Sequence, residues 1–542
     1  MLKHLTTGAA AAALLMAWAG GAFAADHKQG GAMIVTYKDD VSTLDPAIGY
    51  DWQNWSMIKS LFSRLMDYKP GTTELTPDLA TSYDISPDGL TYTFHLRTGV
   101  KFHNGRVMTA DDVAYSYNRT VNPKTQSPGA GFFSSIAGYA DVTAGKTDAM
   151  SGVKVIDPST ISFTLSAPNA TFLQVVALNF SGVVAKEDVD KYGADYGHHP
   201  DGTGAYYLDS WALGQQLTFK RNPDYYVPGV PYLDELDFKI GAEPLTALLQ
   251  LQKGEVDVLG DGIPPAKFLE VMNDPEQKKL VVSAPQLETS YLTIKTTMKP
   301  LDDVRVRQAI NMAINKDRIV KIINGRADIA TQVLPPGMPG YDKDYKGYAF
   351  DPDGAKKLLA DAKYDGTQSL DLYVYNTDPN PRIAQAIQQD LAAVGITVAI
   401  KSLDQANIIA AGGTPDQAPL IWSGGMGWIA DFPDPSDFYG PILGCSGAVA
   451  GGWNWSLYCN KDIEAMSTKA DAMVAPDQAD ARADLWKQIF TKIQTDDAPW
   501  APVFNEERYT MHTARIAGDD SLFVDPVHIP INYNYVYATD AQ

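Results

Sequence analysis

The stretch GGMGWIADFPDPSDFY at residues 424–439 gathers three carboxylates, a tryptophan, a methionine and a run of bare glycine backbone. A carboxylate in a water-poor cleft is costly until a cation neutralises it, so Asp431 in such a place would select ligands that carry an amine. The other reading makes Asp431 a helix cap or turn residue, the role expected of Asp434 and Asp437. Gly424, Gly425 and Gly427 either let a ligand approach the main chain or serve a loop that needs positive φ. Met426 and Trp428 either line an apolar pocket or fill a core. The three acids lack the alternating oxygen ligands and the glycine of a calcium loop. This is chemistry of capture rather than of turnover. The chain has no Gly-x-Ser-x-Gly elbow and no His-Glu-x-x-His pair, and it holds 8 histidines. His198 and His199 sit in a Gly/Pro/Asp-rich loop and read as solvated, so no metal and no cofactor is expected.

The elements that must position these groups are legible in part. Residues 80–97 read as a hairpin: Pro87-Asp88-Gly89 supplies the turn, and Tyr92, Phe94 and Leu96 alternate with Thr93, His95 and Arg97. Thr109 then caps a helix with acids in its first turn. Val153, Val155, Ile161, Phe163 and Leu165 alternate around an Asp157-Pro158 turn. Residues 302–324 are helical, with Val306, Ala309, Ile310, Ala313 and Ile314 as an apolar stripe, a restart at Asn315 and a stop at Asn324-Gly325.

The back half alternates strand and helix. Leu370, Leu372 and Val374 form a strand, Ile383, Ile387, Leu391 and Val394 line a helix closed by Gly395, and Ile396, Val398 and Ile400 open the next strand. That is a βαβ unit with a right-handed crossover. Ligands sit at the carboxyl ends of strands in open α/β sheets. This rule places Tyr375 and Asn376, and residues 423–431 after a strand at 419–422, at a cleft between two lobes.

Bulk properties narrow the class further. A formal charge of −21 argues against nucleic acid and anionic membrane as partners. Residues 1–24 pair a basic start (Lys3, His4) with an uncharged apolar core and an Ala22-Phe23-Ala24 cleavage signal. That core is shorter than the roughly 20 residues of a membrane span. The expected mature protein starts near Ala25 and is exported to the periplasm, with no lipid-anchoring cysteine. Cys445 and Cys459, the two cysteines of the chain, read as a disulfide in that compartment.

Four phrases in order carry a family resemblance: TLDP at 43–46, DLATSYDISPDGLTYTFHLRTGVKFHNG at 78–105, GTGAYYLDSWALGQQLTFKRNPDYY at 202–226, and DVRVRQAINMAINKDRIV at 303–320. The mature chain resembles the peptide/nickel-type extracellular solute-binding proteins, the binding subunits of ABC importers. The resemblance implies a type II periplasmic-binding-protein α/β fold of two lobes joined by a hinge. Lobe I would span 25–288 and 510–542, with an extra domain near 71–200, and lobe II 289–509. The crossovers would be 286–294 and 504–510.

The same resemblance implies a monomer that closes over a small ligand, here expected to be a peptide, and delivers it to a membrane permease. It implies no catalysis. Opines, oligosaccharides and metal chelates are the alternative ligands. Residue by residue, Asp431 matches the position that pairs with a ligand's α-ammonium, with Gly427, Trp428 and Met426 beside it. Tyr50 and Trp52 follow the first signature as candidate aromatic walls, with surface packing as their other reading. Dipeptide-specific relatives hold the ligand's carboxylate with an Arg where this chain has Tyr375. Arg382 lies beyond that turn, so strict dipeptide selection is not expected.

Overall fold

A computed structural model describes residues 29–50, 52–424, 427–527 and 530–539, with Trp52 described by its backbone alone. The expected export leader, residues 1–24, lies outside the described residues. Three sheets organise the chain. The first has the order Val258–Leu259, Ala32–Tyr37, Glu235–Ile240, Gln216–Arg221, Tyr206–Ala212. Met33, Val35, Leu217, Phe219, Leu236 and Phe238 are fully buried along its strands. Ala32–Tyr37 pairs parallel to both neighbours, so the front half is not hairpins alone.

A separate four-stranded antiparallel sheet is inserted into this lobe: Ala80–Ile85, Thr91–Leu96, Thr160–Thr164 and Val153–Asp157. Its first turn follows the sequence. Gly89 takes φ +70°, and the Asp88 carboxylate accepts the Leu90 N–H at 3.1 Å. Tyr92, Phe94 and Leu96 face the core, while His95 lies outside and pairs with Asp84 at 2.9 Å. The helix Ala110–Val121 is fastened at its start by Asp112, whose carboxylate accepts the Thr109 N–H at 2.8 Å. The expected alternation fails at Val155, which is 37% exposed, because its strand lies at the sheet's edge.

The second lobe's sheet runs Val281–Pro285, Trp500–Met511, Glu288–Ile294, Leu420–Trp422, Leu370–Tyr375, Val398–Leu403. Leu370–Tyr375 is parallel to Val398–Leu403, with the helix Asn380–Ala393 between them in sequence. Ile383, Ile387 and Leu391 seal that helix onto the sheet. Asn315 caps the helix Lys316–Ile322 by accepting the Arg318 N–H at 2.9 Å.

One strand joins the lobes. Trp500–Met511 pairs through its first half with Glu288–Ile294 and through its second with Val281–Pro285. Just beyond it, His512 bridges to Val258 of the first sheet. The second link between the lobes is the chain from Val281–Pro285 into Glu288–Ile294. Two adjacent extended strands resist shear and allow bending, which suits a hinge.

Candidate functional site between the lobes

The segment after Leu420–Trp422 does not leave the sheet freely. The Ser423 hydroxyl accepts the Tyr291 N–H at 2.8 Å, and Trp422 Nε1 donates to Asn380 Oδ1 at 3.0 Å. The chain then returns to the hinge as Trp428–Ile429, antiparallel to Glu288 and Thr289. Gly424 and Gly427 lack positive φ, so conformational freedom is not their reason. A Cβ at Gly427 would lie 2.3 Å from Glu288 Oε1 and 2.9 Å from Ser290 Oγ. Close approach explains the glycine. Gly425 and Met426 lie outside the described residues.

Asp431 follows directly, 1% exposed. The Tyr50 hydroxyl donates to its Oδ1 at 2.7 Å. The ring of Tyr50 packs 5.5 Å from Trp55 and 5.2 Å from Phe180, both in the first-lobe core that the inserted sheet shares. Phe432 joins that same core, edge-on to Phe132. The second lobe therefore plants residues 431–432 in the first. Asp437, on the helix Pro435–Tyr439, accepts the Asp431 N–H at 2.9 Å and Trp428 Nε1 at 3.3 Å. It is a buried support, not the turn acid expected. Asp434 does cap that helix, and Arg482 holds it through two bonds of 2.6 and 2.8 Å.

Burial pushes the Asp431 carboxyl up to about 7, opposed by the Tyr50 hydrogen bond. Burial, with the Asp431 charge behind it, pushes Asp437 well above the carboxylate range. Two acids this close and this dry cannot both ionise readily. A cation arriving at Asp431 would relieve the cost.

A cavity of about 310 Å³ opens alongside. Gly427 and Ile429 form one wall, Gly260, Gly262 and Phe268 of the first lobe another, and Arg326 a third. Gln286, Glu288, Glu506 and Arg508 of the hinge strands make its floor. Gln286 ties two of these together. Its oxygen accepts from Arg508 Nε and Nη2 at 2.8 Å each, and its nitrogen donates to Glu288 Oε2 at 2.9 Å. Burial and the neighbouring Glu506 push Glu288 up to about 8. Burial raises Glu506 as well, against Arg326 and Arg508, and lowers Arg508 to about 9.

Of the expected contact residues, Tyr50, Asp431 and Trp428 converge on one cluster and Gly427 lines the cavity. Trp52 opens the helix Trp52–Leu61, and its side chain lies outside the description. Tyr375 and Asn376 line neither space. Asn376 is exposed and its N–H is taken by Leu403 O at 2.9 Å. Instead Asp378, Pro379 and Arg382 line an outer groove opposite Pro265, Ala266 and Leu269, with Arg326 between groove and cavity. The acids and arginines of the floor escaped sequence reading. Their signal was a set of charges inside otherwise apolar crossover strands. Cys445 and Cys459 form the expected disulfide. Among the described residues no group of three His, Cys, Asp or Glu could hold a metal, and no helix is long and apolar enough to cross a membrane.

The model of the bacterial extracellular solute-binding proteins, family 5, matches residues 74–449. The chain belongs to this family. It is 33% identical over 463 residues to the dipeptide-binding protein of Escherichia coli K12, covering 81% of this chain and 82% of that one. It is 30% identical over 503 residues to haem-binding protein A of Haemophilus influenzae, covering 89% and 87%. Among solved structures, the periplasmic binding protein DppA of Helicobacter pylori in complex with the peptide STSA superposes with TM-score 0.78 at 27% identity, covering 94% and 98%. The two lobes, hinge and inserted domain are thus those of a family 5 solute-binding protein.

Proposed function

We propose that this protein is the periplasmic binding subunit of an ABC importer that closes its lobes over a short peptide and hands it to the membrane permease. The observation that carries the reading is Asp431: a buried carboxylate two residues past the cavity-lining Ile429, contacted from the opposite lobe by Tyr50. A peptide's α-ammonium is the cation such a group suits. Relatives named for dipeptides and a structural neighbour holding STSA support the same class. The lobes would meet near residues 288 and 510, with Tyr50, Trp52, Met426, Gly427 and Trp428 as neighbours of the bound ligand. In this reading the protein works as a monomeric carrier and not as an enzyme.

A second reading keeps the fold and changes the ligand. Tyr375 stands where dipeptide binders place an Arg, and one relative is named for haem. Mass spectrometry of what co-purifies from the periplasm tests both. Intact peptides support the proposal; a saccharide or a chelate as the sole bound species overturns it.

A further inference from the structure

Arg326 occupies a singular position among the cations near the cleft. It lines both the hinge cavity and the outer groove. Backbone fixes it on both sides. Asn324 and Gly325, at φ +60° and +72°, turn the chain after the helix Lys316–Ile322. Ala327–Ile329 then pairs with the hinge strand, and Arg326 O accepts the Glu507 N–H at 3.1 Å. Its Nε donates to Ile323 O at 3.2 Å, and its guanidinium stands 5.8 Å from the Phe268 ring centroid of the opposite lobe.

No ion pair joins Arg326 to a carboxylate among the described residues, in a chain whose net charge is −21. The alternatives are committed. Arg382 forks onto Asp378 at 2.7 and 2.8 Å, and Arg508 is held by Gln286 and by Pro530 O at 3.0 Å. A planar guanidinium over an aromatic ring at the edge of a cavity is suited to take a carboxylate.

We propose that Arg326 receives the carboxylate of the bound peptide, replacing from the hinge side the clamp that Tyr375 cannot supply, so that the site selects peptides with a free C-terminus. This rests on the peptide reading above. Burial and Glu506 push Glu288 up to about 8, which lessens its repulsion of a carboxylate on the cavity floor.

The test is calorimetry with a panel of tri- and tetrapeptides, each as free acid and as C-terminal amide, against the wild type, Arg326→Gln, Arg326→Lys and Arg382→Gln. The wild type should lose at least tenfold in affinity on amidation. Arg326→Gln should bind acid and amide within threefold of each other, Arg326→Lys should keep only part of the discrimination, and Arg382→Gln should keep nearly all of it. Equal binding of acid and amide by the wild type overturns the proposal and leaves the peptide reading standing. So does full discrimination retained in Arg326→Gln, or lost in Arg382→Gln instead. Absence of binding for every peptide in both forms defeats the peptide reading and this proposal with it.

Discussion

Tyr50 and Asp431 are 381 positions apart in sequence and share a 2.7 Å hydrogen bond where the two lobes meet. The donor is rooted in the first lobe through Trp55 and Phe180, and the acceptor in the second through Asp437. The bond can exist only when the lobes are together. It therefore contributes to the closed state and not to either lobe alone.

Tyr50→Phe removes the bond and keeps the ring packing. A hydrogen bond to an ionisable partner is worth about 1.5–3 kcal/mol, enough to shift an open–closed equilibrium by an order of magnitude or more. Small-angle scattering of the ligand-free variant should show a larger radius of gyration than the wild type. An unchanged radius would mean that Tyr50 is only a packing residue.

Much of this frame was visible in the residues. The hairpin at 80–97, the βαβ unit and the apolar stripe of 302–324 emerge as read, because each depends on local alternation and turn chemistry. Asp431 and Tyr50 were each legible as candidates, yet nothing local in sequence pairs them. Asp437 was misread because its surroundings resemble a turn, and only tertiary packing buries it. The hinge cavity was the larger omission. Glu288, Glu506, Arg326 and Arg508 become a floor and a wall only when strands some 200 residues apart are paired. The strand-end rule pointed to Tyr375 and Asn376, but the turn after them folds so that Asp378 and Arg382 face the groove instead.

Ligand binding should depend on pH with a definite sign. Asp431, near 7 in the free protein, must ionise to pair with an ammonium group. Affinity should rise about tenfold per pH unit up to that value and then level off, with a proton released on binding in the acidic range. The free protein should show the opposite trend. The folded state retains a proton on Asp431 that the unfolded chain has lost between about pH 4 and 7, so this group's contribution to stability falls as pH rises through that window. Titrations in buffers of different ionisation enthalpy measure the proton release. Binding that is flat from pH 5 to 8 would contradict the assignment.

Gly427→Ala should fold but bind poorly. Its Cβ must displace the Glu288 carboxylate, which Gln286 and Ser290 hold in place. A loss of tenfold or more in affinity is expected with a melting temperature within a few degrees of the wild type. Wild-type affinity in this variant would show that the cavity floor is not part of the site.

The Cys445–Cys459 bridge closes 14 positions of chain around the exposed Trp453, whose ring lies 6.4 Å from that of Trp428. Replacing both cysteines with alanine should cost the second lobe about 3 kcal/mol. Denaturant unfolding followed by tryptophan fluorescence reads this directly. Two titratable thiols in the native exported protein would refute the bridge itself.

Whether Asp431 meets a ligand's ammonium group can be measured directly. Calorimetry should compare a free tripeptide with its N-acetylated form on the wild type and on Asp431→Asn, which removes the charge and nearly keeps the shape. Truncating one partner of a buried charged pair costs about 2–5 kcal/mol, so the wild type should bind the free peptide at least about thirtyfold more tightly than either the acetylated peptide or the variant does. Asp431→Asn should bind the two peptides alike. Wild-type affinity for the free tripeptide in Asp431→Asn would contradict the account.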